Sequence, residues 1–117
     1  MGMHLLSEHG DWSFNNSGWR YCLETAIEFG WSPEGTVAPI DFQGDWNGVY
    51  FTNDYQTVTD RDACALGEAL LRAVAALYAR EPDKIHMDEF AAVEFDGELS
   101  CLRRLANYAL KGGFVIR

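Results

Sequence analysis

The segment Trp46-Asn47-Gly48-Val49-Tyr50-Phe51-Thr52-Asn53-Asp54-Tyr55-Gln56-Thr57-Val58-Thr59, followed by an alanine-rich stretch from Asp60, decides the reading of this chain. Val49-Tyr50-Phe51-Thr52 has the β-branched and aromatic chemistry of a strand. Asn53-Asp54 turns the chain. Thr59, with Asp62 three residues on, has the spacing of a capping box. From Asp60 to about Ala79, the residues Ala63, Leu66, Leu70, Val74 and Leu77 recur on one narrow helical face, widened by Cys64, Leu71 and Tyr78. Arg61, Glu68 and Arg72 mark the wet side, with Glu68 and Arg72 spaced as an i,i+4 ion pair. Strand, polar turn and capped central helix follow one another without a break.

Upstream, Trp12-Ser13-Phe14 alternates as a short strand. The Asn15–Gly18 turn places Ser17 to cap a helix whose apolar stripe is Trp19, Cys22, Leu23, Ala26 and Ile27. Gly30 suits the left-handed position past that helix, and Trp31 the hydrophobic contact of a Schellman cap. Residues 32–48, with Pro33, Gly35, Pro39, Gly44 and Gly48, read as an irregular loop.

Downstream, Pro82 closes the central helix. Residues 83–95 are ambiguous, since Phe90-Ala91-Ala92-Val93 fits a short helix or a strand. Asp96 is placed to cap a third helix carrying Leu99, Leu102, Ala106 and Ala109 on one face, with Leu105 and Leu110 beside it. Lys111 suits its C-terminus and Gly112-Gly113 ends it. Phe114-Val115-Ile116 reads as a final strand, expected to pair with residues 49–52. The expected fold is α+β: three main helices packed with a small antiparallel sheet, in a single domain over residues 1–117.

A chain of 117 residues, 48% hydrophobic, can bury a core without metal or disulfide support. Cys22, Cys64 and Cys101 fall on three different expected helices. An odd count without a CxxC pair argues against a disulfide framework or zinc knuckle, and suits a reducing cytoplasm. The longest apolar run, Ala73 to Ala79, is too short for a bilayer. Met1-Gly2-Met3-His4 has no basic run or cleavage pattern, which reads as no secretion signal. The net charge of −9 is uneven: residues 1–57 carry eight acids against one base, Arg20, and no base lies between Arg20 and Arg61. Such a field disfavours nucleic acid and anionic membrane and favours a basic partner, although it also serves solubility.

No reaction is legible. There is no G-x-S-x-G nucleophile motif and no phosphate-cradling glycine loop, and the histidines are only His4, His9 and His86. Cys64 and His86 make an imaginable pair without an orienting third residue. His4 and His9 lack helical ligand spacing and sit in an N-terminal stretch expected to be mobile. Asp54, Asp60 and Asp62 do not alternate as calcium-loop ligands do, and Asp60 and Asp62 suit the first helical turn. The expectation is therefore no metal and no cofactor.

The aromatics stand out. Eleven of the sixteen, including every tryptophan, precede residue 58. Trp19 and Trp31 have structural assignments; Trp46 and Tyr50 flank a glycine-rich loop beside Asp45, Asn53 and Asp54. These five are the candidate binding residues, because aromatic anchors with nearby polar groups furnish binding surfaces. Alternatively, Trp46 simply covers the sheet.

The motif order resembles that of a loose group of small, uncharacterised bacterial cytosolic proteins. The matching pieces are Phe29-Gly30-Trp31 with Pro33 and Gly35, Trp46-x-Gly48-x-Tyr50-x-x-Asn53-Asp54, Val58-Thr59-x-x-Asp62-Ala63 and Gly112-Gly113-Phe114-x-Ile116. In that group glycine often follows the Asn-Asp pair, where this chain has Tyr55. The resemblance implies a fold family and no established activity, so no catalytic residue carries over.

Three functions compete. The first is a non-enzymatic interaction protein of accessory or immunity type, binding a basic protein through its acidic, aromatic half. The second is a small-molecule-binding protein or weak hydrolase with a pocket between Trp46–Asn53 and the central helix. The third is a self-associating subunit, a homodimer packed across a two-fold axis.

Overall fold

The structure is a computed structural model that describes residues 2–80 and 89–117, and side chains there other than those of Tyr78, Arg80 and residues 89–99. It is an α+β fold. Strands β1 (Gly2–Ser7) and β2 (Gly10–Asn15) lead into helix α1 (Asn16–Glu28). After a long connection come β3 (Gln56–Val58), α2 (Asp60–Arg80), α3 (Glu89–Leu110) and β4 (Phe114–Ile116). The sheet order is β2-β1-β4-β3, antiparallel at every step.

Strand alternation sets the layers. Met3 and Leu5 of β1, Phe14 of β2, Val58 of β3, and Phe114 and Ile116 of β4 are all buried. Their register stacks Leu5 against Ile116, Ile116 against Gln56, and Phe114 against Val58. That face packs on Trp19, Leu23 and Ala26 of α1, Leu66 and Leu70 of α2, and Leu102, Leu105 and Ala109 of α3. Burying such aliphatic and aromatic side chains contributes roughly 1.5–3 kcal/mol each before chain entropy is counted.

Several expectations change. Residues 49–52 form no strand; β4 pairs with Gln56–Val58 instead. The reason lies in the backbone acceptors: Val49 O receives Thr36 Oγ1 at 2.7 Å, Tyr50 O receives the Trp19 indole at 2.8 Å, and Thr52 O receives Gln56 Nε2 at 2.7 Å. Side chains have taken the carbonyls a sheet ladder would need. The N-terminal stretch is an interior strand of the sheet rather than a mobile tail. The cap of α1 is Asn15, whose Oδ1 accepts from Gly18 N at 2.6 Å, and not Ser17, whose hydroxyl bonds Asn15 Oδ1 in turn. On α1, Thr25 is buried where Ile27 was expected, and Ile27 is exposed. Asp96 lies within α3 rather than at its start; of the ambiguous segment, residues 89–95 are helical and 83–88 lie outside the described residues, as does His86. Leu71 is exposed on α2, and Arg72 Nε bonds Phe29 O at 3.1 Å, a cation at the C-terminus of α1.

The Schellman cap of α1 forms as expected. Trp31 N reaches Ala26 O at 2.9 Å, Gly30 N reaches Ile27 O at 3.2 Å, and Gly30 has φ +101°. That motif fixes the direction in which the chain leaves α1 and delivers Trp31 to the start of α2.

Candidate functional site

Asp62, in the first turn of α2, organises the connection between α1 and β3. Its amide donates to Thr59 Oγ1 at 3.2 Å, which is half of the expected capping box. The carboxylate does not complete that box. Its Oδ1 accepts from Trp31 Nε1 at 3.0 Å and Glu34 N at 3.3 Å, and its Oδ2 from the Tyr50 hydroxyl at 2.5 Å. Asp62 is 0% exposed. A buried carboxylate survives there because three donors and the positive end of the α2 dipole surround it.

Tyr50 is the second pin. Its hydroxyl also accepts from Gly35 N at 2.9 Å, and its ring meets Trp31 edge-on, with centroids 5.3 Å apart. Burial, followed by the hydrogen bond to Asp62 and the charge of that carboxylate, pushes the Tyr50 phenol well above its ordinary pKa. The phenol thus stays neutral and donating. Between the Trp46–Asn53 segment and α2, where a pocket was one expectation, Tyr50 packs directly onto Asp62.

Trp46 is half-buried. Its Nε1 donates to Thr36 O at 3.0 Å and Thr36 Oγ1 at 3.1 Å, and its ring meets Phe42 at 4.9 Å. Gly48, at φ +67°, passes so close to Gly35 that a Cβ on it would lie 2.9 Å from the Gly35 Cα. Asn53 works elsewhere: its Nδ2 binds Gly2 O at 3.1 Å and Arg117 O at 2.7 Å, joining the loop to both ends of the described chain. Asp45 and Asp54 are exposed. Of the five candidates, then, Tyr50 is a buried anchor, Trp46 covers Thr36, Asn53 is a tie to the sheet, and the two acids lie on the surface.

What the sequence reading passed over is the tip of this connection. Val37 is held by paired backbone bonds to Thr57, at 2.8 and 3.0 Å. Beyond it the chain carries Ile40 at 100% exposure and Phe42 at 42%, with Val37 itself at 51%. The signal was available: Val37, Ile40 and Phe42 stand in a Pro- and Gly-punctuated loop with neither helical nor strand periodicity, so no core face awaits them. Asp41 stands between Ile40 and Phe42, and Asp45 follows three residues after Phe42, both exposed.

Elsewhere, a groove of about 560 Å³ opens beside the β1–β2 turn, lined by Glu8, His9, Asp60 and Lys111 among others. His9 Nε2 lies 3.3 Å from Gly112 O, while Asp60 Oδ1 takes the Gly113 amide at 2.6 Å. Among the described residues, no three His, Cys, Asp or Glu side chains form a group able to hold a metal ion, and no helix is long and apolar enough to cross a membrane. The chain matches no protein-family model, and comparison with curated proteins and with solved structures finds no significant match.

Proposed function

We propose that the protein is a non-enzymatic interaction module, of accessory or immunity type, that docks a basic protein partner through the tip of its α1–β3 connection. The observation that carries this reading is Ile40, fully exposed in a loop whose base is fastened. Exposed apolar side chains scattered singly need no explanation; here three fall within six residues of one segment, which is pinned by Trp31, Tyr50 and Asp62. A fastened base lowers the ordering cost of binding. Asp41 lies among these apolar residues and Asp45 follows them, and no Lys or Arg occurs between Arg20 and Arg61. A basic surface with an apolar recess complements that pattern. In this reading the protein acts in the cytoplasm, in keeping with its three free thiols.

The test is affinity capture from the source cell with wild-type protein and an Ile40→Ser/Phe42→Ser double variant, at low and high salt. A basic protein retained by wild type at low salt and lost with the double variant supports the reading. Equal retention by both, or capture that ignores salt, overturns it.

A further inference from the structure

Helices α1 and α3 bring together two cysteines that lie 79 positions apart: the Sγ atoms of Cys22 and Cys101 are 3.6 Å from one another. Cys22 is fully buried, while Cys101 is only partly so. We propose that Cys22 and Cys101 form a peroxide-responsive thiol site that closes to an intrachain disulfide.

Exposure sets the order of events. The Cys101 thiolate attacks one oxygen of the hydroperoxide; the S–O bond forms as the O–O bond breaks, and hydroxide leaves and is protonated to water. Cys101 is then a sulfenic acid. The Cys22 sulfur attacks the Cys101 sulfur, its own proton passing to the departing hydroxyl. The S–S bond forms, the S–O bond breaks and a second water leaves. Two thiols have lost two electrons, and the peroxide has gained them.

The surroundings favour each half. Hydrogen bonding from the Cys22 thiol, and secondarily the positive charge of Arg104, lower the Cys101 pKa against the opposing effect of burial. The same contact, then burial, raises that of Cys22, which keeps its proton until it resolves the sulfenic acid. The sulfurs need to close from 3.6 Å to about 2.05 Å, a movement of side-chain size. Cys64 is a bystander in this scheme; its Sγ faces Leu110 O at 3.9 Å. The new bond ties α1 to α3 across most of the chain, where loop-closure entropy is greatest.

The experiment is titration of the reduced full-length chain with hydrogen peroxide, followed by alkylation and non-reducing peptide mapping. The expected product is a Cys22–Cys101 cross-linked peptide with Cys64 alkylated, reversed by dithiothreitol and accompanied by a higher unfolding midpoint. In a Cys22→Ala protein, Cys101 should collect several-fold more dimedone-trapped sulfenic acid than in wild type. Should that variant not fold, a Cys64→Ser protein must still yield the same cross-link. Oxidation to intermolecular dimers, adducts at Cys64, or sulfinic acid at Cys101 without a cross-link would each overturn the proposal.

Discussion

Tyr50 donates its phenolic hydrogen to Oδ2 of Asp62 at 2.5 Å, and this bond joins a loop of irregular backbone to the first turn of the central helix. The Asp62 amide is capped by Thr59, while the carboxylate faces the connection instead of returning to the start of its own helix. There it gathers Trp31, delivered by the Schellman turn of α1, and the Glu34 amide. One acidic side chain therefore fastens three separate points of the connection.

Asp62→Ala should lower stability by about 3 kcal/mol or more, since three donors lose a buried charged acceptor. Asp62→Asn should cost about half as much, because its carbonyl oxygen can still serve Trp31 and the Glu34 amide. Urea unfolding measures both. Amide exchange at Glu34 and Gly35 should accelerate more than exchange in α2. Unchanged melts would show that the connection is held by other contacts.

Thr59→Ala should cost about 1 kcal/mol, the usual loss of an N-cap. Thr59→Ser should restore most of it, because the hydroxyl that accepts from Asp62 N is retained. If the serine variant melts with the alanine variant, methyl packing rather than capping is what Thr59 contributes.

Alkaline pH should destabilise the fold in part through Tyr50. Its folded pKa is raised above the ordinary value of 10.0, so the folded chain holds a proton that the unfolded chain releases first. The stability from this group is complete below about pH 10 and is lost as pH rises toward the folded pKa. Tyr50→Phe should be less stable at pH 7 and should show a shallower decline above pH 10. Tyr108, raised chiefly by burial, keeps its own share of the slope in both proteins. Parallel declines in the two proteins would remove Tyr50 from the account.

Much of the framework was legible because it depends on local chemistry. The α2 stripe, its Thr59 cap and the Gly30–Trp31 terminus of α1 follow from side chains within a turn or two of each other. The missing parts depend on distant partners. Val49–Thr52 has strand composition, yet its carbonyls are occupied by Thr36, Trp19 and Gln56. Met3 and Leu5 look terminal in sequence and are interior because β4 returns beside them. Of the candidate residues, Tyr50 was singled out for its neighbours, while its true partner, Asp62, was read only as a helix-end carboxylate. Aromatic composition drew attention to the segment that Trp46 and Tyr50 anchor, and passed over the exposed Val37, Ile40 and Phe42 nearby.

Tyr55 offers a cleaner test of local strain. It is the one non-glycine residue with positive φ among the described residues, at +66°, and directly follows the Asn53-Asp54 turn. A left-handed conformation costs an ordinary residue roughly 1–2 kcal/mol, and glycine recovers part of that against its greater unfolded-state entropy. The Tyr55 side chain is 58% exposed, so little burial is lost on its removal. Tyr55→Gly should therefore stabilise the chain by up to about 1 kcal/mol. A destabilised variant would mean that the tyrosine ring contributes packing that outweighs the backbone strain.

The docking loop should separate encounter from residence. With the basic protein recovered by affinity capture, Asp41→Lys and Asp45→Lys should lower the association rate and flatten its dependence on salt, because exposed rim charges act by screened, long-range steering. Ile40→Ser should leave association nearly unchanged and raise the dissociation rate, since an apolar anchor is felt only after docking. Asp62→Asn, remote from the tip but loosening its base, should weaken binding through the cost of ordering the loop, with the salt dependence intact. Stopped-flow or surface-plasmon measurements at two ionic strengths distinguish the three effects. If Ile40→Ser changes neither rate while Asp54→Lys changes both, the partner sits near the Asn53 tie instead, and the exposed tip is not its contact.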